Sequence, residues 1–348
     1  MRFLRYRFPA PLAILILLLF VTWAGVRNLN INTIWYDEWY SLYYAGAAPN
    51  YGPISITQTV DRALQYNEYN PPGYYVALNL WGQVAGWTPF VARTFSLLMG
   101  VMAVAVIYRL GCLMAGKLAG LGAAFALGIS AFFLHQLTEL RMYTLFPLLV
   151  ALTLLAYWQF TYRKPSWPNA LFFFGSLLAL LYVHYMALPL VITLGLYHLL
   201  VAPKNRRWWM ITLVAVLCGL LYLPWLGVAF GALGVVSGES SRNFYASAAL
   251  TLINNVLTQF SNGAVPLLVI LGWYALRSGR RNILFAFGLL IGTFAVVLLI
   301  NERLHFIGIA RYLLGLWPVL ALVVGLGIVQ MQRFKLRPLL LVAVWCVA

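Results

Sequence analysis

The sequence predicts an all-α polytopic membrane protein, on three observations. Hydrophobic residues make up 63% of the chain and charged residues 9%. Nearly uncharged runs recur from end to end, many of them long enough to cross a hydrocarbon core. The Lys and Arg behind the net charge of +16 gather in the short turns between those runs, a pattern of membrane insertion and not of nucleic-acid binding.

Taken in order, the apolar runs predict about eleven membrane helices, near 8–26, 94–112, 118–134, 141–160, 168–183, 185–201, 208–230, 264–276, 283–300, 312–330 and 338 onward. Residues 1–348 read as a single transmembrane unit. The first run has the basic start and apolar body of a signal peptide. No small-x-small site follows Val26, so an uncleaved signal anchor is expected. The chain ends at Ala348 inside an apolar run, which leaves room for a C-terminal part beyond it. Cys112, Cys218 and Cys346 are odd in number and lie in apolar runs, so neither a disulfide nor a metal cluster is expected of them.

Two segments between runs are long. Residues 28–92 form the first, punctuated by Pro71-Pro72-Gly73. Within it Gly73 to Gly86 is apolar and aromatic but short, and Asn79 and Gln83 interrupt it. It reads as a helix lying in the interface and not as a span. The second is 231–263, which includes an amphipathic stretch from Ala246 to Phe260 expected to rest on the membrane surface. Connections of this length in a compact membrane protein usually bind or gate something.

With the N terminus cytoplasmic, sixteen of the 23 Lys and Arg fall inside, among them Arg206, Arg207, Arg280 and Arg281, and seven Arg fall outside. All seven acids, Asp37, Glu38, Asp61, Glu68, Glu139, Glu239 and Glu302, then fall outside. Acids contribute little to topology, so insertion does not account for their segregation. A charge-balanced outer face over a purely basic inner one places the function on the outside.

The stretch to examine first is Trp35-Tyr36-Asp37-Glu38-Trp39-Tyr40, which sets two adjacent carboxylates in an aromatic collar just past the first span. Its bland explanation is an interfacial belt of Trp and Tyr with solvated acids. Glu139, Arg141 and Tyr143 open the fourth span, with 139 and 143 on one helix face. Ordinary helix-end electrostatics is their bland explanation. Arg303 and Arg311 flank His305, and Arg311 enters the tenth span, where a guanidinium needs a phosphate or a carboxylate such as Glu302 or Asp37 beside it. His135, His184 and His305 share the outer side with the acids. Only His135 and Glu139, at i and i+4, have ligand-grade spacing, and a bound divalent metal is left open on that pair alone.

In order along the chain, WYDEWY at 35–40, NPPGYYVALNLW at 70–81, RTFSLLMGVMAVAVIYRLG at 93–111, TELRMYTLFPLL at 138–149 and ARYLLGLWPVLAL at 310–322 resemble the GT-C superfamily of membrane glycosyltransferases. The branch most similar is that of the protein O-mannosyltransferases and the aminoarabinose and galacturonic acid transferases of lipid A, the glycosyltransferase family 39-like group. The likeness implies a multi-pass enzyme of a prokaryotic inner or plasma membrane. Its implied partners are the bilayer, a polyprenyl-phosphate-linked sugar as donor, and a lipid, glycan or protein as acceptor. It also implies a catalytic acid in the first external loop, which maps onto Asp37 with Glu38 beside it. Where the family often has a histidine before the two prolines, Asn70 stands here.

Residue chemistry fits that implication. An acceptor hydroxyl needs its proton drawn off, and a carboxylate in reach is the natural base, a role that falls to Asp37. If the segment is extended, Glu38 points the other way and orients an Arg, a metal or the acceptor. As the sugar leaves, the carrier phosphate gains charge, which guanidinium groups such as Arg141, Arg303 and Arg311 suit. Two other readings share some of these features. A transporter would hold its charged groups near mid-membrane on broken helices, often within internal repeats. A ligase or polymerase of lipid-linked glycans would share the topology.

Overall fold

The protein is described by a computed structural model, which covers residues 9–65, 70–163, 165–243, 249–304, 309–333 and 345. Its elements are all helical, and no strand occurs among the described residues. In chain order they are α1 (Ala10–Val26), α2 (Tyr36–Ala45), α3 (Ile56–Gln65), α4 (Gly73–Ala85), α5 (Pro89–Ala115), α6 (Lys117–Gly128), α7 (Ala131–Gln136), α8 (Leu145–Tyr162), α9 (Trp167–Val183), α10 (Ala187–Leu200), α11 (Arg206–Asn243), α12 (Ala249–Phe260), α13 (Val265–Ala275), α14 (Arg280–Leu304), a 3-10 turn (Ala310–Leu316) and α15 (Trp317–Arg333). Several start where local chemistry directs them to. Thr88 caps α5 ahead of Pro89 through a bond from the Val91 amide, and Ser166 does the same for α9.

Among the described residues five helices are long and apolar enough to cross a membrane: α5, α8, α14, the 206–231 part of α11, and the stretch 310–332 through α15. The bent pair α12 and α13 adds a sixth, and α1, α6, α9 and α10 are shorter apolar helices. The expected eleventh run, 338 onward, lies almost wholly outside the described residues. The fold is thus a polytopic helical bundle, as composition predicted.

At the centre runs α15, nearly all of it buried and packed on α5, α6 and α13. Its glycines allow this. A Cβ on Gly325 would sit 2.3 Å from the Ala119 carbonyl oxygen, and one on Gly327 would sit 2.2 Å from that of Leu271. Backbones in contact replace the side-chain burial that water would drive in a soluble core. In contrast, α11 and α14 expose Leu213, Leu220, Leu223, Ile291 and Leu299, as helices facing lipid should.

The long first segment folds as α2, α3 and α4 packed together at one end of the bundle. Asn79, a reason for reading α4 as interfacial, ties that end together: its Nδ2 donates to the carbonyls of Ala45 (2.8 Å) and Ile54 (3.1 Å). Likewise α12 meets α13 at 92°, across Asn262 and Gly263, both at positive φ. Asn262 then docks the corner, accepting from the Ala131 amide (2.8 Å) and donating to the Ile129 carbonyl (3.0 Å).

Four boundaries differ from the sequence reading. The pair Asp37 and Glu38 lies in the first turn of α2 and not in extended chain. The third span stops at Gly128, and the remainder forms the separate α7. The fourth span, expected over 141–160 and opened by Glu139, begins only at Leu145, and residues 137–144 form irregular turns, so Glu139 and Tyr143 share no helix face. The reason is tertiary, since the Leu140 amide donates to the Glu38 carboxylate and not back along a helix. Finally, α11 runs unbroken past Gly231 to Asn243, so the second long segment opens as helix.

Candidate active site

On α2 the two adjacent carboxylates diverge by the helical step of about 100°, and their surroundings differ accordingly. Glu38 is fully buried. Its Oε1 accepts from Arg93 Nε (2.8 Å) and the Leu140 amide (2.9 Å), and its Oε2 from Arg93 Nη2 (2.6 Å) and the Trp35 amide (3.4 Å). Arg93 completes its set of five N–H donors on the carbonyls of Leu29 (2.9 Å), Asn32 (2.8 Å) and Thr33 (3.1 Å). One buried ion pair therefore ties together the chain leaving α1, the start of α2, the helix α5 and the turns before α8.

Asp37 faces the other way, with its side chain 23% exposed. Arg311 Nη2 stands 3.5 Å from its Oδ2. Arg141 Nη1 reaches the Asp37 carbonyl (3.1 Å) and Ser41 Oγ (3.4 Å). The Arg311 guanidinium lies over two rings, 5.6 Å from the centroid of Tyr143 and 5.7 Å from that of Tyr312. Its Nε is buried without a hydrogen-bond partner among the described residues, leaving donor capacity on a cation beside the carboxylate.

Behind this group is His184, buried between α9 and α10 and stacked on Phe146 (4.8 Å, 10°). Its Nδ1 accepts the Met186 amide (3.1 Å), which puts the proton of the neutral ring on Nε2. Burial, and behind it the charge of Arg141, lower its pKa to about 3. Tyr143, 2% exposed, has its phenol pushed up to about 12, chiefly by burial.

The structure brings together Asp37, Glu38, Arg141, Tyr143 and Arg311 of the predicted residues. Glu139 pairs instead with the exposed His135 (3.0 Å), and that hydrogen bond first of all raises the His135 pKa. Asn70 sits half-buried in the turn before Pro71. Arg303 lies in the last turn of α14, its side chain not described, and His305 is outside the described residues. Among the described residues no three His, Cys, Asp or Glu group so as to hold a metal. Sequence reasoning passed over Arg93, Ser41 and Tyr312. The signal for Arg93 was present, because a guanidinium one turn inside a 27-residue apolar helix needs a buried anion as much as Arg311 does.

This bundle of apolar helices, with the short helix that bears Asp37 beside its first apolar helix, has a fold that solved structures share. In particular it superposes on ArnT from Cupriavidus metallidurans in the apo state, with a TM-score of 0.61 and 15% identity over 93% of this chain and 60% of that one. The same protein bound to undecaprenyl phosphate gives 0.62, with identical identity and coverage. The apo oligosaccharyltransferase of Archaeoglobus fulgidus gives 0.51 at 12% identity, over 96% of this chain and 54% of that one. This chain thus spans about 60% of the length of ArnT. No protein-family model matches the sequence, and no protein of curated function does.

Proposed function

We propose that this chain is a membrane glycosyltransferase that moves a sugar from a polyprenyl-phosphate carrier to an acceptor hydroxyl on the extracytoplasmic face, with inversion. The observation that carries the reading is the division of labour between adjacent acids. Glu38 is consumed by Arg93, while Asp37 keeps a partly exposed carboxylate beside Arg311 and Arg141. The ArnT structure with undecaprenyl phosphate supports a polyprenyl phosphate as the ligand of this fold.

In this reading Asp37 takes the proton of the acceptor hydroxyl as its oxygen attacks the anomeric carbon. The bond from that carbon to the phosphate oxygen breaks on the opposite face, and the electron pair leaves with the carrier phosphate. Arg311, with Arg141 behind it, meets the charge that develops there. Tyr143 and Tyr312 hold the Arg311 guanidinium in place from its ring side. Glu38 positions Asp37 by fixing the helix that bears it, and Glu139, Asn70, Arg303 and His305 complete the proposed substrate-binding set. The test is purified protein in lipid, offered a panel of polyprenyl phosphate sugars and assayed for carrier release. Release that depends on Asp37 is expected; no release from any member of the panel would overturn the reading.

A further inference from the structure

The turn into α4 takes no part in the chemistry above, yet it brings a hydroxyl to the groups that hold Arg141. Tyr74 stands in the first turn of α4, after Pro72 at its N-cap, and is fully buried. Its ring packs on Phe95 of α5 (6.1 Å, 55°) and on Tyr75 (5.5 Å, 73°). Gly73 lets that turn lie against α9, since a Cβ there would sit 2.5 Å from the Tyr182 carbonyl oxygen. The Tyr74 hydroxyl thereby faces those of Ser41 on α2 and Ser96 on α5 and lies in the field of the Arg141 charge. Both serines are as fully buried as Tyr74. Neither Tyr74 Oη nor Ser96 Oγ has a completed hydrogen bond among the described residues.

We propose that Tyr74 is a positioning residue that holds the Arg141 guanidinium in place through Ser41; the proposal rests on the reading above, in which Arg141 serves the carrier phosphate. Hydrogen-bond direction carries it. A guanidinium can only donate, so Ser41 Oγ accepts from Arg141 Nη1 (3.4 Å) and sends its own proton to the Asp37 carbonyl (3.3 Å). One lone pair is then left on Ser41 Oγ. Tyr74 can meet it only as a donor, which leaves the Tyr74 oxygen to accept from Ser96. The order from Ser96 to Tyr74 to Ser41 to the Asp37 carbonyl is the one direction that satisfies every member, and it ends on the carbonyl that Arg141 also reaches (3.1 Å). A hydroxyl left unbonded in the protein interior is costly, and closing the chain of hydroxyls onto Ser41 removes that cost. Arg141, 8% exposed, is thereby braced from α4 and α5, two helices outside its own segment.

The test is binding of sugar-free polyprenyl phosphate to the full chain in nanodiscs, beside unfolding of the same variants in detergent. Tyr74→Phe removes one oxygen and should weaken binding about fivefold, the change that about 1 kcal/mol produces. Ser41→Ala should weaken it at least as much. In an Arg141→Ala background Tyr74→Phe should cost nothing further, because the group it holds is gone. Tyr222→Phe, which removes a buried hydroxyl of α11 that also has no partner among the described residues, should leave binding unchanged. Unchanged binding in Tyr74→Phe overturns the proposal, and so does a loss of equal size with and without Arg141. A wild type that binds no polyprenyl phosphate would sink the carrier reading instead. The proposal is then decided by the unfolding free energies of Tyr74→Phe, Arg141→Ala and the double variant, where non-additive losses uphold it and additive losses overturn it.

Discussion

Glu38 and Arg93 form a two-pronged ion pair, 2.8 and 2.6 Å long and closed to solvent, 55 residues apart in the chain. Desolvating both ions is costly, and the pair survives because backbone amides and carbonyls occupy every remaining donor and nearly every acceptor site. Its consequence for function is indirect: it leaves Asp37 as the carboxylate that faces out.

Breaking this pair should therefore act on stability before it acts on chemistry. Glu38→Ala or Arg93→Ala should cost about 3 to 5 kcal/mol, the range for stranding one buried charge. The double variant Glu38→Met/Arg93→Met should regain part of the loss. Unfolding of detergent-solubilised protein measures this, and a single variant as stable as the wild type would remove Glu38 from its positioning role.

Asp37→Asn keeps the shape of the side chain and removes proton acceptance. Turnover should fall by about a hundredfold or more, with binding of the sugar carrier retained. Near-normal turnover in a folded Asp37→Asn protein would show that another group is the base.

Arg311→Ala and Arg141→Ala should each weaken binding of a sugar-free polyprenyl phosphate by about 1.5 to 3 kcal/mol, the range for hydrogen bonds to a charged group. Free sugar should show no specific binding at the carrier site. In sealed vesicles, flux of a soluble substrate that depends on Asp37, without transfer product, would favour a transporter instead.

His184 gives a signed pH dependence. Its folded pKa of about 3 lies below the unfolded value of about 6.5, so below 6.5 the unfolded chain binds a proton that the folded one does not. Its contribution is fully present above pH 6.5 and lost as pH falls toward 3, with a slope of up to about 1.4 kcal/mol per unit. Unfolding at pH 7 and pH 4.5 checks this, since His184→Phe should flatten the difference.

Cysteine scanning tests the orientation. Cysteines at Asp61 and Glu239 should label from outside, and those at Arg206 and Arg280 only after permeabilisation. Labelling at Arg206 from outside would invert the arrangement.

By itself the sequence determined the class of fold and the neighbourhood of the site. Apolar runs and capping residues are local signals, so most spans could be located, and the pair Asp37 and Glu38 could be singled out as the carboxylates to examine first. Tertiary structure decided which of two adjacent carboxylates faces out, because that depends on Arg93 and Leu140 arriving from elsewhere in the chain. It also decided that 137–144 is not helix. A buried carboxylate that captures the Leu140 amide outweighs the helix propensity of a segment rich in Leu, Glu, Arg and Met, and no window of neighbouring residues contains that carboxylate. The same holds for Tyr51, which joins the rings of α2 through a turn that the sequence marks only as a loop. Helices are written locally in the chain, whereas the direction a charged side chain takes is set by the distant groups that solvate it once lipid and protein have displaced water.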